Sequence, residues 1–409
     1  MYVLRTLQHP LIRKIWFGQI LAATGGEFYT VALVWIAVDL IGSDAGYLSA
    51  LQAGALLAGS LFAGIVTDGW PHGRTMMTAD FGRAAIILLL PIAWAFNALS
   101  LGLLLAVAVS SAVVGSTFDP ALQATIPVLA KDPDLRFGTN GLFDATRRIA
   151  RIVGPGLISV AGGLLPTAQF FTVTAAAFVA SGLAVRAVTR KIDEAPPAIR
   201  SRSLAGAIES LTGGFRAVKG HPVVIYGFIA SAVTNGCWGV GVILGIALLM
   251  RETEPEPLKA YGLVMSAYGV GNVLTNLVVV SFKASRPAWR ITLGRVVFGV
   301  GLMGMAISPN LHTLMIVAAL TAINGPVTEL AMLNLLQASF PLHLLAPTFR
   351  VQIALAVAGI FAAYLLAPTL FQLFPVRNVI FGCGVVSTVA GSLGVAYFAW
   401  RRAMATATS

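Results

Sequence analysis

PVVIYGFIASAVTNGCWGVGVILGIALLM, residues 222–250, contains no Asp, Glu, Lys or Arg. An uncharged run of this length is long enough to cross the roughly 30 Å of hydrocarbon in a bilayer. Eleven further apolar blocks repeat the pattern: 15–41, 46–67, 77–97, 101–128, 141–164, 167–189, 258–281, 290–308, 311–338, 349–373 and 377–400. The 409 residues are 57% hydrophobic and 11% charged, where soluble domains carry about 25% charged residues. Mean hydropathy is +0.85. So few charges cannot cover the surface of a soluble fold. The sequence therefore predicts an all-α polytopic membrane protein with twelve transmembrane helices. It excludes a soluble enzyme, a nucleic-acid-binding domain and a secreted disulfide scaffold.

The net charge is +11. In a soluble chain that would suggest nucleic acid as a partner. Here the basic residues sort by side. If the N-terminus is cytoplasmic, only Arg251, Lys259 and Arg377 fall outside, so the positive-inside rule places both termini and the central loop in the cytoplasm. The first apolar block starts after Arg13-Lys14 and is too long for a signal-peptide core, so it reads as a retained span. Cys237 and Cys383 lie in apolar stretches without metal-type spacing and read as packing residues. RKIDEAPPAIRSRSLAGAIESLTGGFRAVKG, 190–220, is the longest polar stretch and carries an amphipathic piece (Leu204, Ile208, Leu211, Phe215) suited to a membrane surface. It divides the chain into a six-helix bundle at 1–189, a cytoplasmic loop at 190–220 and a second six-helix bundle at 221–409.

The halves read as a repeat. Arg5 and His9-Pro10 precede the first span as Arg216 and His221-Pro222 precede the seventh. A shift of 210 residues brings Gly115 onto Gly325 and Asp119 onto Glu329. Repeated halves around a midplane site are the usual construction of secondary transporters.

The loop after the second span reads Gly64-Ile-Val-Thr-Asp68-Gly-Trp-Pro-His-Gly73-Arg74. It resembles the G-x-x-x-D-R-x-G-R-R signature of the major facilitator superfamily, with Gly69 in place of the usual Arg. HPLIRKIWFGQ (9–19), Asp80-Phe-Gly-Arg83, FDPALQATIP (118–127), TNGLFDATRRIARIVGP (139–155) and LLQASFP (335–341) resemble the bacterial exporter branch that includes macrolide-efflux and enterobactin-export proteins. The resemblance implies two pseudo-symmetric bundles, the major facilitator fold, and a monomer in the bacterial inner membrane. It also implies a gating role for the loop, with Asp68 and Arg74 latching the inner side through charge pairs and Arg83 or Arg136 supplying partners; the alternative is an ordinary turn. Gly154-Pro155-Gly156 partly resembles the antiporter signature of the fifth span.

Ionisable groups inside a bilayer are functional candidates because each costs several kcal/mol, at least ~2.5 on the mildest scale. Glu27, mid-span in ATGGEFYTVAL, shares a helical face with Gln19 and Thr30. A carboxyl group there is a candidate for proton coupling or cation recognition; the alternative is a hydrogen-bonded link between helices. Asp119, before Pro120, and Glu329 suit a cationic substrate or a shared proton. The alternative for them is an ion pair with Arg147, Arg148 or Arg151. Asp144 can pair with Arg147 and Arg148 at i+3 and i+4, which reads as an inner gate with Arg151 alongside; the alternative is that one of the three arginines points into the cavity to meet an anion. Asn235 and Trp238 are candidate cavity residues, Trp238 through stacking or cation-π contact; the alternative for the amide is a structural hydrogen bond between helices. No Walker-type loop and no HExxH or Cys/His cluster occurs, so neither a nucleotide nor a metal cofactor is expected.

These readings converge on secondary active transport, and not on an enzyme. The expected activity is proton-coupled export of a small amphipathic molecule, drug-like or siderophore-like, by alternating access. An importer, a dedicated single-metabolite exporter, and a receptor-like or assembly protein are the alternatives. The expected partners are the substrate, protons and the lipid bilayer, with no nucleic acid.

Overall fold

A computed structural model describes residues 6–67, 70–161, 164–193, 212–280 and 286–407. Among the described residues there is helix and no strand. Among the described residues, ten stretches are long and apolar enough to span a membrane. The first of these, Pro10–Gly59, contains two helices joined by a short 3-10 turn at Gly42–Asp44. The helix around the expected fifth span carries Arg147 and Arg151 and is not among the ten. Of the amphipathic piece in the central loop, only Phe215 lies within the described residues, and it is exposed.

The chain divides into two compact units, Met1–Leu40 with Leu51–Ala207, and Ile41–Ala50 with Ile208–Ser409. The first holds α1 (Pro10–Ile41), most of α2 (Ala45–Thr67), α3 (His72–Ala95), α4 (Leu101–Gly115), α5 (Phe118–Leu129), α6 (Pro133–Ala161) and α7 (Gln169–Ile192). The second holds α8 (Pro222–Cys237), a π-helical segment (Trp238–Gly245), α9 (Ile246–Thr253), α10 (Pro257–Val280), α11 (Pro287–Ile307), α12 (Leu311–Thr321), α13 (Asn324–Ser339), α14 (Leu342–Leu373) and α15 (Val376–Ala407).

The units repeat each other in how they pack. Among the described residues, α3 packs extensively on α7 in the first and α11 on α15 in the second. Small residues permit both approaches, as expected where lipid supplies no hydrophobic drive between helices. Gly182 of α7 lies against the Phe81 ring, and Gly299 of α11 lies against Gly384 and Thr388 of α15. One core of the first unit gathers Ile12, Met76, Phe118, Leu122 and Phe143. Its counterpart gathers Val224, Phe228, Ile291, Met332 and Phe340.

Two expected spans are broken helices. The fourth divides at Ser116–Thr117 between α4 and α5, and the tenth at Ala322–Ile323 between α12 and α13. At both breaks successive N–H groups reach back four and then three residues. Ser116 N bonds Ala112 O (3.0 Å) and Thr117 N bonds Val114 O (3.3 Å), while Ala322 N bonds Ala318 O (3.1 Å) and Ile323 N bonds Leu320 O (3.2 Å). The sequence placed the loosening at Pro120. The structure places it just before, and a proline in the first turn of α5 lacks only an N–H that would be unpaired there anyway. The π-helical segment is a third irregularity, packed through Gly239 on Tyr364 of α14. Cys237 and Cys383 come together here as free thiols, their side chains in hydrogen-bonding contact.

Arg377, read above as an outer-side charge, ties α15 to the C-terminal end of α11. Its Nη1 donates to Ala306 O at 2.8 Å and to Ser308 O at 2.9 Å. A cation on the last carbonyls of a helix satisfies unpaired acceptors and opposes the helix dipole. Arg377→Met should destabilise the second unit by about 2 kcal/mol, read as a lower midpoint in denaturant unfolding of the purified protein. An unchanged midpoint would show that water serves those carbonyls equally well.

Candidate functional site

Inside the first unit α3 carries Asp80 and, one turn on, Arg83. Asp80 is 1% exposed. The Arg83 guanidinium carbon stands 3.9 Å from the centre of the Phe178 ring on α7, a cation-π contact. Ser181, one turn beyond Phe178, lies beside Asp80. Arg83 fits because α4 ends at Gly115, where an added Cβ would stand 3.2 Å from Arg83 Nε. Tyr29 of α1 is buried within the field of Arg83, with Ser111 of α4 beside its hydroxyl. Asp80 Oδ2, Arg83 Nε and the Tyr29 hydroxyl lack a full complement of hydrogen bonds. A buried acid and an arginine that feel each other's charge, yet are left with spare donors and acceptors, are expensive elements to keep for stability alone.

Glu27 sits on α1 where that helix meets α6 and α7. Gly25 packs against Ala177 and its carbonyl accepts from Thr174 Oγ1 at 2.9 Å. Trp16 Nε1 donates to Thr146 Oγ1 at 2.8 Å. Glu27 itself lies on Gly154 of α6, so that a Cβ at 154 would run into Glu27 Cβ. Arg151, one turn before Gly154, acts on Glu27 through its charge. The Gly154-Pro155 pattern thus has a local meaning here, because glycine lets the α1 carboxylate-bearing turn seat on α6. Gln19 Nε2 is buried without a hydrogen-bond partner, and Thr30 Oγ1 bonds back to Gly26 O (3.0 Å) within its own helix.

Asp119 is exposed in the first turn of α5, where the helix dipole favours an anion. Its Oδ1 is 3.7 Å from Arg147 Nη1 of α6, with both side chains substantially solvent-accessible. Asp68, and the side chains of Asp144 and Arg148, lie outside the described residues. Arg74 pairs with a residue the sequence reading had not singled out. Asp193, which caps α7, accepts from Gly73 N at 2.8 Å and stands 3.8 Å from Arg74 Nε. Gly73 is required because a Cβ there would meet Asp193 Oδ1 at 2.9 Å and the Thr189 backbone at 3.0 Å. The partners suggested for this loop are engaged elsewhere, Arg83 with Phe178 and Asp80, and Arg136 through Nε to Ala130 O at 3.3 Å. Asp193→Ala should speed hydrogen exchange of the Gly73 amide by at least roughly ten-fold, the loss of a charge-assisted bond. Unchanged protection would remove Asp193 from the latch.

The second unit carries a parallel device. Arg295 of α11, 212 positions after Arg83, is 6% exposed and leaves Nε unpaired. Tyr226 of α8 and Glu329 of α13 act on it through charge. The Tyr226 hydroxyl donates to Ala390 O at 3.0 Å, and Ser387 Oγ donates to Arg295 O at 3.2 Å. The place of Asp80 is taken by Thr292, whose hydroxyl bonds Ala288 O in its own helix at 3.0 Å. Asn235 is likewise satisfied within α8, its Nδ2 bonding Ser231 O at 2.8 Å; Trp238 opens the π-helical segment and is half-buried. Among the described residues no group of three or more His, Cys, Asp or Glu is placed to hold a metal.

Broken helices bearing acids, buried arginines and a repeated unit define a membrane transporter of the major facilitator class. The chain belongs to the family described as Transmembrane secretion effector, whose model matches residues 3–398. It is similar to the multidrug efflux pump Tap of Mycolicibacterium fortuitum, 27% identical over 368 residues covering 87% of each chain. Tap of Mycobacterium tuberculosis is 26% identical over 330 residues, 76% of each chain. Among solved structures, a POT family transporter in complex with a thioalcohol-conjugated peptide superposes with a TM-score of 0.74 at 11% identity, over 94% of this chain and 95% of that one. The nucleoside transporter NupG superposes with a TM-score of 0.73 at 12% identity, over 95% and 100%. Both likenesses carry the fold. The protein is a multi-pass membrane transporter and not an enzyme.

Proposed function

We propose that this chain exports small amphipathic molecules across a bacterial inner membrane in exchange for protons, by alternating access. The observation that carries the proposal is Glu27. It is a carboxylate within an apolar span, seated on Gly154 and within the field of Arg151. A group that can meet water in one state and be shut from it in another takes up and releases a proton as its surroundings change. The Asp80–Arg83 pair, with Tyr29 beside it, offers a second protonatable centre in the same unit. Export of more than one drug-like compound is supported by the relatives named above, which are multidrug efflux pumps. The sorting of Lys and Arg supports cytoplasmic termini, and monomeric function is the accompanying proposal. Inward movement of one proton supplies ~2.3 kcal/mol per 100 mV before any pH gradient is added.

The test uses inside-out vesicles containing the protein, energised to an acidic interior. Lipophilic cations, macrolides and siderophores are added singly while the pH gradient is followed. A substrate of a proton antiporter should collapse the gradient partly and be concentrated inside. Concentration that persists after the proton gradient and potential are both dissipated would overturn proton coupling. Uptake only in the opposite direction would overturn export.

A further inference from the structure

The chain contains two cysteines, Cys237 and Cys383, 146 positions apart. The fold brings both to one place in the second unit as free thiols. Cys237 ends α8, immediately before the π-helical segment, and Cys383 lies on α15. Gly241 follows Cys237 by about one turn, and Cys383 occupies the room that glycine leaves. A Cβ at 241 would stand 3.5 Å from Cys383 Cβ. The two cysteine side chains are in hydrogen-bonding contact. A thiol is a weak donor and a weak acceptor, so that contact adds little to stability. Cysteine packs well singly as a small apolar side chain, and two packing residues have no need to meet.

The surroundings are apolar. Cys237 is 8% exposed, and Leu302 of α11 shares the Gly241 site with Cys383. Cys383 is half-buried, and its neighbour Gly382 has open space around it. A small uncharged oxidant can cross hydrocarbon to that side, whereas an ion cannot do so without a large desolvation cost. The same surroundings select the product. A sulfinate carries charge and a disulfide carries none, so burial favours the disulfide.

We infer that Cys237 and Cys383 form a redox-active pair that hydrogen peroxide converts to an intrachain disulfide, stapling the start of the π-helical segment to α15. Cys383, the more exposed sulfur, attacks one peroxide oxygen. The O–O bond breaks, and the second oxygen leaves with the thiol proton as water. Cys237 Sγ then attacks the Cys383 sulfur. The S–S bond forms, the S–O bond breaks, and the departing hydroxide takes the Cys237 proton as a second water. Two thiols and one peroxide give one disulfide and two waters, the sulfurs losing the two electrons that the O–O bond gains.

The staple falls where α8 changes pitch. Tyr261 of α10 already holds the π-helical segment, its hydroxyl donating to Ile243 O at 3.2 Å, and Gly239 packs on Tyr364 of α14. π-Turns inside α-helices frequently mark functional positions. Oxidation adds a covalent hold at the first turn of this one, and reduction releases it. The pairing holds whichever molecule the protein transports and in whichever direction.

The test uses the full chain, reduced, in lipid discs and treated with millimolar hydrogen peroxide. Ten methionines also oxidise, so the readout is specific to sulfur–sulfur linkage. Remaining thiols are alkylated under denaturing conditions, and unreduced peptides are weighed by mass spectrometry. Free thiol should fall at least roughly ten-fold, with the Cys237 and Cys383 peptides joined within one chain, and dithiothreitol should restore both thiols. In Cys237→Ala no link can form, and dimedone should trap a sulfenic acid on Cys383. The wild-type measurement needs no variant, so it decides even if Cys237→Ala fails to fold. Two thiols that survive peroxide intact overturn the inference and leave both cysteines as packing residues. A sulfinic acid on Cys383 without a link also overturns it, because the sulfurs then do not meet. So does a link that forms only once circular dichroism shows loss of helix.

Discussion

Glu27→Gln is expected to leave the protein folded and to abolish uphill export. Gln has nearly the same volume, so the contact of α1 with Gly154 is retained, together with the Thr174 and Trp16 bonds that pin the same helix. Only the exchangeable proton and the charge are removed. For an uncharged substrate exchanged one-for-one with protons at 100 mV, ~2.3 kcal/mol of driving force sustains a concentration ratio of roughly 50. In the variant that ratio should fall to one. Exchange of labelled for unlabelled substrate down a gradient should continue, because it needs no net proton movement. Measuring both in the same vesicles separates loss of coupling from loss of binding. Undiminished accumulation in Glu27→Gln would move the coupling role elsewhere, with Asp80 the next candidate. Loss of exchange as well as accumulation would make Glu27 a binding or structural group.

The residues that were legible in the sequence were those whose chemistry conflicts with their surroundings along the chain. Glu27 stands out as an acid inside an apolar block, and Asp119 with Glu329 through the internal repeat. Their surroundings were not legible. Asp119 proves to be exposed and paired with Arg147, which favours the ion-pair alternative for it. Asp80 was quoted only as part of a motif, because it falls near the start of its apolar block and sequence gives no depth along a span. Burial of Asp80 follows from contact with α7, a hundred residues further on. Arg295 had one available signal, its position 212 residues after Arg83, but a repeat anchored on the fourth span alone does not reveal it. Asp193 follows Arg190-Lys191 and reads as loop; its role arises from the turn at Gly73. The π-helical segment WGVGVILG has no proline or polar residue to mark it, and the Cys237–Cys383 approach joins residues far apart in the chain.

Replacing Arg83 tests whether the buried pair is held for stability or for function. Arg83→Met takes from buried Asp80 the cation whose field it shares, and if the two act as a pair, breaking it from one side costs ~3–5 kcal/mol. The variant should be poorly folded and poorly expressed. Asp80→Asn/Arg83→Met removes both charges and should recover most of that loss, since a neutral amide can bond to Ser181 and Met can pack on the Phe178 ring. The coupling in this double-mutant cycle should therefore exceed ~1 kcal/mol; additive effects would mean that the two groups do not act as a pair. The second unit provides the control. No acid occupies the place of Asp80 there, and Glu329, which shares the field of Arg295, is exposed. Arg295→Met thus strands no buried anion and should cost less than Arg83→Met. The decisive variant is the folded double substitution. If stability returns while uphill export does not, the pair is kept for the transport cycle, because a neutral, well-packed replacement would then satisfy the fold and fail the function. If export returns too, the charges serve only to match α3 to α7, and proton coupling rests on Glu27 without them.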